Sequence, residues 1–362
     1  MIRRVSPRSF IFVALLLLVA LFAPLPYVLV EPGTPDNTFG KVKGKQVVEI
    51  MGRESYSTTG KLHITSIWVT NPESPLHSFE LIRAWADGER SVQPREAFYP
   101  KGANPKEVRK ESVADMKNSQ VASTIAALNY LKIPFTEQLV IKGFTENSPN
   151  KSAVEKEDQI ISLNGEKITS SSQLRKLILN AKDETIELGV IRNKRELLVP
   201  VKVQTVKTNG SSKNVIGILV SEDYEFPFTV NIRLKNVGGP SAGLIFSLAI
   251  IDKLTKEDLV RGRNIAGTGT ISPSGKVGPI GGIEEKLIGA AREGATLFFA
   301  PALNCPDIRH TPKGLRVVAV DNLDEAITAL RATDLRRSRC AASQTFTTFQ
   351  SFFLALLSDF SG

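Results

Sequence analysis

The sequence predicts an α+β protein built from a membrane-spanning N-terminal helix, a β-rich middle module and a mixed α+β domain. Three observations predict it. An uncharged apolar run from Phe10 to Val30 follows Arg3, Arg4 and Arg8. Between about 134 and 205, short apolar stretches alternate with turn residues around one helical segment, Ser171–Leu179. From 228 onward, strand-like and helical stretches are joined by glycine-rich turns.

The run from Phe10 to Val30 is about as long as a helix needs to cross a bilayer core. The arginines before it mark the inner side, which puts the rest of the chain outside a cell membrane. Pro24 and Pro26 interrupt its outer end, and Tyr27 would sit at the outer interface. A cleaved signal needs small residues before the cut, and Leu21-Phe22-Ala23 ahead of Pro24 supplies them poorly, so an uncleaved single-pass anchor is the preferred reading. Glu31 to Gly44 reads as a linker beside it.

The bulk composition narrows the function classes. Hydrophobic residues at 42% and charged residues at 23% are ordinary for a folded chain. The net charge of +9 is spread among acids without a basic, aromatic-interleaved stripe, so nucleic acid is not an expected partner. Cys305 and Cys340 have no metal-ligand spacing; one disulfide or two free thiols are both open. No metal and no cofactor is called for.

Strand-like pieces follow at Gln46–Met51 and Leu62–Val69, and a helix at 105–131 carries Val121, Ile125 and Leu128 at three- and four-residue spacings. The middle module then runs through the strand Leu139-Val140-Ile141, the turn Asn147-Ser148-Pro149-Asn150, the strand Gln159–Leu163 closed by Asn164-Gly165, the helix Ser171–Leu179, and strands at Ile186–Ile191 and Glu196–Val203. This order, with Asp158-Gln159-Ile160-Ile161-Ser162-Leu163-Asn164-Gly165, resembles a PDZ domain. Glu157 stands where the family has Gly before Asp158, and Asn150 where it has a small residue after Ser-Pro. The resemblance implies binding of extended peptides by strand addition. Its groove is expected between Leu139, Val140 and Ile141 on one side and the helix bearing Leu174 on the other.

Two motifs carry chemistry. In Gly238-Gly239-Pro240-Ser241-Ala242-Gly243, a glycine turn enters a nearly continuous apolar helix. Pro suits the start of a helix, glycine allows close backbone approach, and free N–H groups there favour negative charge, as an oxyanion requires. A plain N-cap or a phosphate-binding turn would read similarly. In Gly281-Gly282-Ile283-Glu284-Glu285-Lys286-Leu287, Lys286 falls on the apolar stripe of Ile283, Leu287 and Ala290, while Glu284, Glu285 and Arg292 are expected to face water. A buried lysine loses proton affinity and can activate a serine without histidine.

Together these motifs resemble the Lon-type peptidase domain over about 206–332, with Ser241 and Lys286 separated by 45 residues (286 − 241). The resemblance implies Ser241 as nucleophile, Lys286 as general base, and Thr268 in Gly267-Thr268-Gly269-Thr270 as the residue that positions the lysine, with Gly239, Pro240 and Ala242 in support. Val237-Gly238-Gly239 replaces the Asp-Gly common in that family. With anchor and PDZ module, the chain resembles bacterial membrane-anchored, PDZ-containing Lon-like proteases acting on extended or unfolded polypeptide, with a homo-oligomer compatible. Gly269 to Lys276 is one residue too long for a phosphate-binding loop, and Val277 replaces the Ser or Thr after the lysine, so no ATP is expected. Of the three histidines, His63, His77 and His310, none sits in a catalytic motif. A tethered peptide-binding adaptor with an inactive protease-like domain is the rival reading.

The expected division is an anchor at 1–32, a linker with an α/β segment at 33–132, PDZ at 133–205, the proteolytic domain at 206–335 and a tail at 336–362. The pieces at 60–71 and 113–131 resemble the opening of the peptidase fold, so the PDZ module is expected as an insertion.

Overall fold

The computed structural model describes residues 7–71, 74, 76–208, 211–234, 237–332 and 340. Arg3, Arg4, Asn236, the arginines at 336, 337 and 339, and the apolar Phe352–Leu357 lie outside the described residues. Among the described residues, seven α-helices follow in chain order: α1 (Pro7–Phe22), α2 (Ser78–Asp87), α3 (Pro105–Tyr130), α4 (Ser171–Leu179), α5 (Gly243–Leu254), α6 (Ile283–Arg292) and α7 (Leu323–Arg331). The chain divides into two units. Pro134–Pro227 is one, and the segments before and after it form the other. This compact unit runs on to Pro227 because the strand Ile218–Glu225 pairs along its whole length with Thr136–Phe144.

The expected membrane-spanning helix is not found among the described residues. α1 has 16 residues, about 24 Å at the α-helical rise, against a hydrocarbon core of about 30 Å. No helix among the described residues is long and apolar enough to cross a membrane. After Phe22 the chain turns through Pro24 and Pro26, neither of which can donate a helical hydrogen bond. Val28, Leu29 and Val30 are instead 2%, 6% and 1% exposed in the strand Tyr27–Pro32, which pairs with Ser91–Pro94 on one side and Ile67–Val69 on the other. A hydropathy run does not distinguish a buried strand from lipid-facing helix. The single-pass anchor and the membrane location read from it are therefore withdrawn.

The split unit is built on a sheet in the order Arg316–Val320, Leu297–Pro301, Asn264–Gly267, Lys61–Ile64, Asp36–Asn37. The first four strands are parallel, and every residue of Leu297–Pro301 is buried, as expected of a parallel sheet covered on both faces. All 12 residues of α5 are buried, and α3 packs along it with Met116, Ser119, Ser123 and Ile125 buried. Gly243 permits that approach: a Cβ there would stand 2.7 Å from Ile271 Cγ2 and 3.0 Å from Ser119 Oγ. Cys305 and Cys340 are joined as a disulfide.

The inserted unit is an antiparallel sheet in the order Arg195–Lys202, Thr185–Arg192, Gln159–Leu163, Thr136–Phe144, Ile218–Glu225. α4 places Leu174 and Ile178 on its core beside Leu139, Ile141, Leu188 and Ile216. Both departures from the PDZ pattern have physical accounts. Glu157 takes the left-handed φ of 70° that glycine would supply, and the buried Asp158 accepts from Arg192 at 2.8 and 2.6 Å. Asn150 is 1% exposed and acts as a latch. Its Nδ2 donates to the carbonyls of Lys202 and Ile216, and its Oδ1 accepts from Lys202 N, all within 2.8–2.9 Å. Replacing Asn150 with Ala strands these buried groups, so urea unfolding of the Asn150→Ala chain should show a loss of about 1–3 kcal/mol; unchanged stability would contradict the latch.

Candidate active site

Ser241 lies in the turn that feeds α5. Gly239 adopts φ 79°, and its N–H donates to Ser112 O of α3 at 2.8 Å, so the turn is docked onto that helix before it reaches the serine. On the other side, Thr268 follows the strand Asn264–Gly267 and is fully buried. Its hydroxyl donates to Ser241 O at 3.0 Å, while Gly269 N donates to the same carbonyl at 2.7 Å. Of the supporting residues, Gly239 and Pro240 shape this turn and Ala242 precedes the first residue of α5.

Lys286 enters from α6. Gly282, in the left-handed region at φ 68°, starts that helix, and Ile283, Leu287 and Ala290 bury the stripe on which the lysine lies. Lys286 is 3% exposed, and its Nζ stands 3.0 Å from Ser241 Oγ and 3.1 Å from Thr268 Oγ1. Burial pushes its ammonium down to about 7, partly opposed by the charge of Glu285. Glu285 is itself 6% exposed, not water-facing as the helical wheel suggested. The structure thus brings Ser241, Thr268 and Lys286 into one hydrogen-bonded cluster. The histidines lie in other surroundings: His63 is buried, His77 faces Glu80, and His310 faces Glu284.

In the inserted unit, Leu139, Val140 and Ile141 are buried in a strand paired on both sides, with Gln159–Leu163 and with Ile218–Glu225. They therefore present no free edge to a peptide. The open edge beside α4 belongs to Ile218–Glu225, and a cavity of about 890 Å³ separates the two, lined by Leu174, Ile178, Ile216, Ile218 and Val220. Of the four expected groove residues only Leu174 faces it. The apolar run Val215-Ile216-Gly217-Ile218-Leu219-Val220 was the signal in the sequence for this strand.

The fold and site define a mixed α/β domain that holds a serine hydroxyl against a buried lysine amine and carries an inserted β-rich module. Residues 235–332 match the family model of the Lon protease C-terminal proteolytic domain, and residues 113–203 that of the PDZ domain. Among similar relatives, Lon protease 2 of Herpetosiphon aurantiacus is 40% identical over 93 residues, covering 25% of this chain and 11% of that protein. Lon protease of Roseiflexus castenholzii is 40% identical over the same length and shares. The chain thus spans about a tenth of the length of the curated relatives it matches. The PDZ domain of an SdrC-like protein from Listeria monocytogenes covers 23% of this chain and 85% of its own at 17% identity, with a TM-score of 0.21, too low to weigh. The chain is thus similar to Lon proteolytic domains over 235–332 and to PDZ domains over 113–203.

Because the lysine's folded-state value lies below its ordinary 10.5, its burial penalises the fold while the unfolded chain holds the proton. The penalty is full below about pH 7 and fades as pH rises toward 10.5. Lys286→Met should therefore raise Tm at pH 6, with a gain that shrinks toward pH 10. A gain that does not vary with pH would contradict the buried, depressed lysine.

Proposed function

We propose that this chain is a serine endopeptidase acting on extended or unfolded polypeptide, with Ser241 as nucleophile and Lys286 as general base. The 3.0 Å approach of the buried Lys286 Nζ to Ser241 Oγ carries this reading. Above about pH 7 the amine is neutral and can take the hydroxyl proton as Ser241 Oγ attacks the scissile carbonyl. The oxyanion forms against backbone N–H groups of the turn at Ser241 and Ala242. Lys286, now charged, returns its proton to the leaving amine, and a second pass with water releases the acyl group. Thr268 accepts from Lys286 while donating to Ser241 O, which fixes the amine in direction.

The PDZ domain supplies the second element. An extended segment would add beside Ile218–Glu225 and set an apolar side chain against Leu174 and Ile178. Cleavage on this reading needs no ATP. Lys276 supports that: it is followed by the strand Val277–Gly278, paired with Thr270–Ile271, where a phosphate-binding loop needs a helix.

Casein incubated with the chain should be cut equally with and without ATP. Ser241→Ala and Lys286→Ala should each lower the rate by more than about a thousandfold while circular dichroism stays unchanged. Retained cleavage by either variant would overturn the assignment. The wild-type kcat/KM should climb with pH through about 7 and level off above it, since the deprotonated amine is the active form. A charge in the groove, Leu174→Asp, should weaken casein cleavage while sparing hydrolysis of a short fluorogenic peptide; equal losses on both would remove the groove from substrate binding.

A further inference from the structure

We propose that Ser119 is a positioning residue that aims and polarises the Ser241 amide as an oxyanion donor. The inference rests on the reading of Ser241 as nucleophile.

Ser119 is 5% exposed on α3, and its hydroxyl donates to Pro240 O at 3.0 Å. That carbonyl belongs to the peptide unit whose other end is the Ser241 N–H. A trans peptide is planar, so fixing its C=O fixes the direction of its N–H on the opposite side. A carbonyl that accepts a hydrogen bond also strengthens its own N–H as a donor. The next peptide unit is treated in the same way from the other flank. Ser241 O accepts from Thr268 Oγ1 and from Gly269 N, which holds the plane that ends in the Ala242 N–H. Both peptide units around the nucleophile thus have their carbonyl ends tied down, one by α3 and one by the turn after the Asn264–Gly267 strand.

The two ties are chemically distinct. Thr268 also touches Lys286, so its loss disturbs the base as well as the donor. Ser119 touches the turn and bonds to neither Lys286 nor Ser241 Oγ among the described contacts. Its removal should therefore leave the base intact and impair only stabilisation of the tetrahedral species. Ser123, one turn along, donates to Gly243 O at 3.0 Å and anchors the start of α5. Gly243 leaves the room that Ser119 occupies.

The test compares wild type, Ser119→Ala and the hydroxyl-retaining Ser119→Thr, using a fluorogenic peptide, a peptide boronate that forms a tetrahedral adduct on Ser241, and the same peptide as an uncleavable amide. In Ser119→Ala, kcat should fall by about tenfold, a fraction of the loss seen when an oxyanion donor is removed outright. Boronate affinity should fall by the same factor. KM, affinity for the uncleavable amide and the pH midpoint near 7 should stay put, and Ser119→Thr should recover most of kcat. Equal kcat and boronate affinity in Ser119→Ala and wild type would overturn the proposal. So would losses in boronate and amide binding by the same factor, which mark a structural role. A wild type that cleaves nothing and forms no boronate adduct would instead overturn the peptidase reading beneath it.

Discussion

A primary amine taken out of water and set against a hydroxyl is the constraint on which this site depends. Lys286 is tolerable at 3% exposure only because Thr268 Oγ1 and Ser241 Oγ give its hydrogens partners, and because the site lets it shed its proton near neutrality. Three separate stretches of chain must meet for this: the turn before α5, the residue after the Asn264–Gly267 strand, and the second turn of α6. The buried parallel sheet fixes the second, and α3 docks the first. The rigidity of the unit thus holds in place an unfavourable burial that lowers the proton affinity of the amine, as the proposed base requires.

The same economy governs the inserted unit. Asn150 and Asp158 are polar groups at near-zero exposure, and each is fully engaged, Asn150 by the Lys202 and Ile216 backbone and Asp158 by Arg192. Asn150 is itself one departure from the PDZ pattern, and Asp158 follows the other, Glu157. Those departures are local substitutions of one turn device for another, and the sheet they hold together still leaves the Ile218–Glu225 edge open beside α4.

The approach of Lys286 to Ser241 was legible in the sequence because both motifs are written locally. Gly-Gly-Pro-Ser-Ala-Gly states a turn and a candidate nucleophile within six residues, and the period of α6 alone puts Lys286 on the apolar stripe. What escaped was set by pairing at a distance. Nothing local separates Val28-Leu29-Val30 as a buried strand from the end of a lipid-facing helix; that is decided by Ser91–Pro94 and Ile67–Val69. Likewise Leu139–Ile141 reads as an apolar strand whether central or at an edge, and only its second partner, some eighty residues on, makes it central. Glu285 is drawn inside by what packs on α6, and Ser119 looks like any serine on a helix until Pro240 O is seen above it.

The central proposal is that the Lys286 amine is neutral above about pH 7. The most direct measurement is a ¹⁵N-lysine NMR titration of the Nζ resonance, assigned by its absence in Lys286→Met. A midpoint near pH 7 is the result this account predicts. A midpoint at the ordinary value of 10.5 would mean that the lysine stays charged beside Ser241, and the proposed base would be lost.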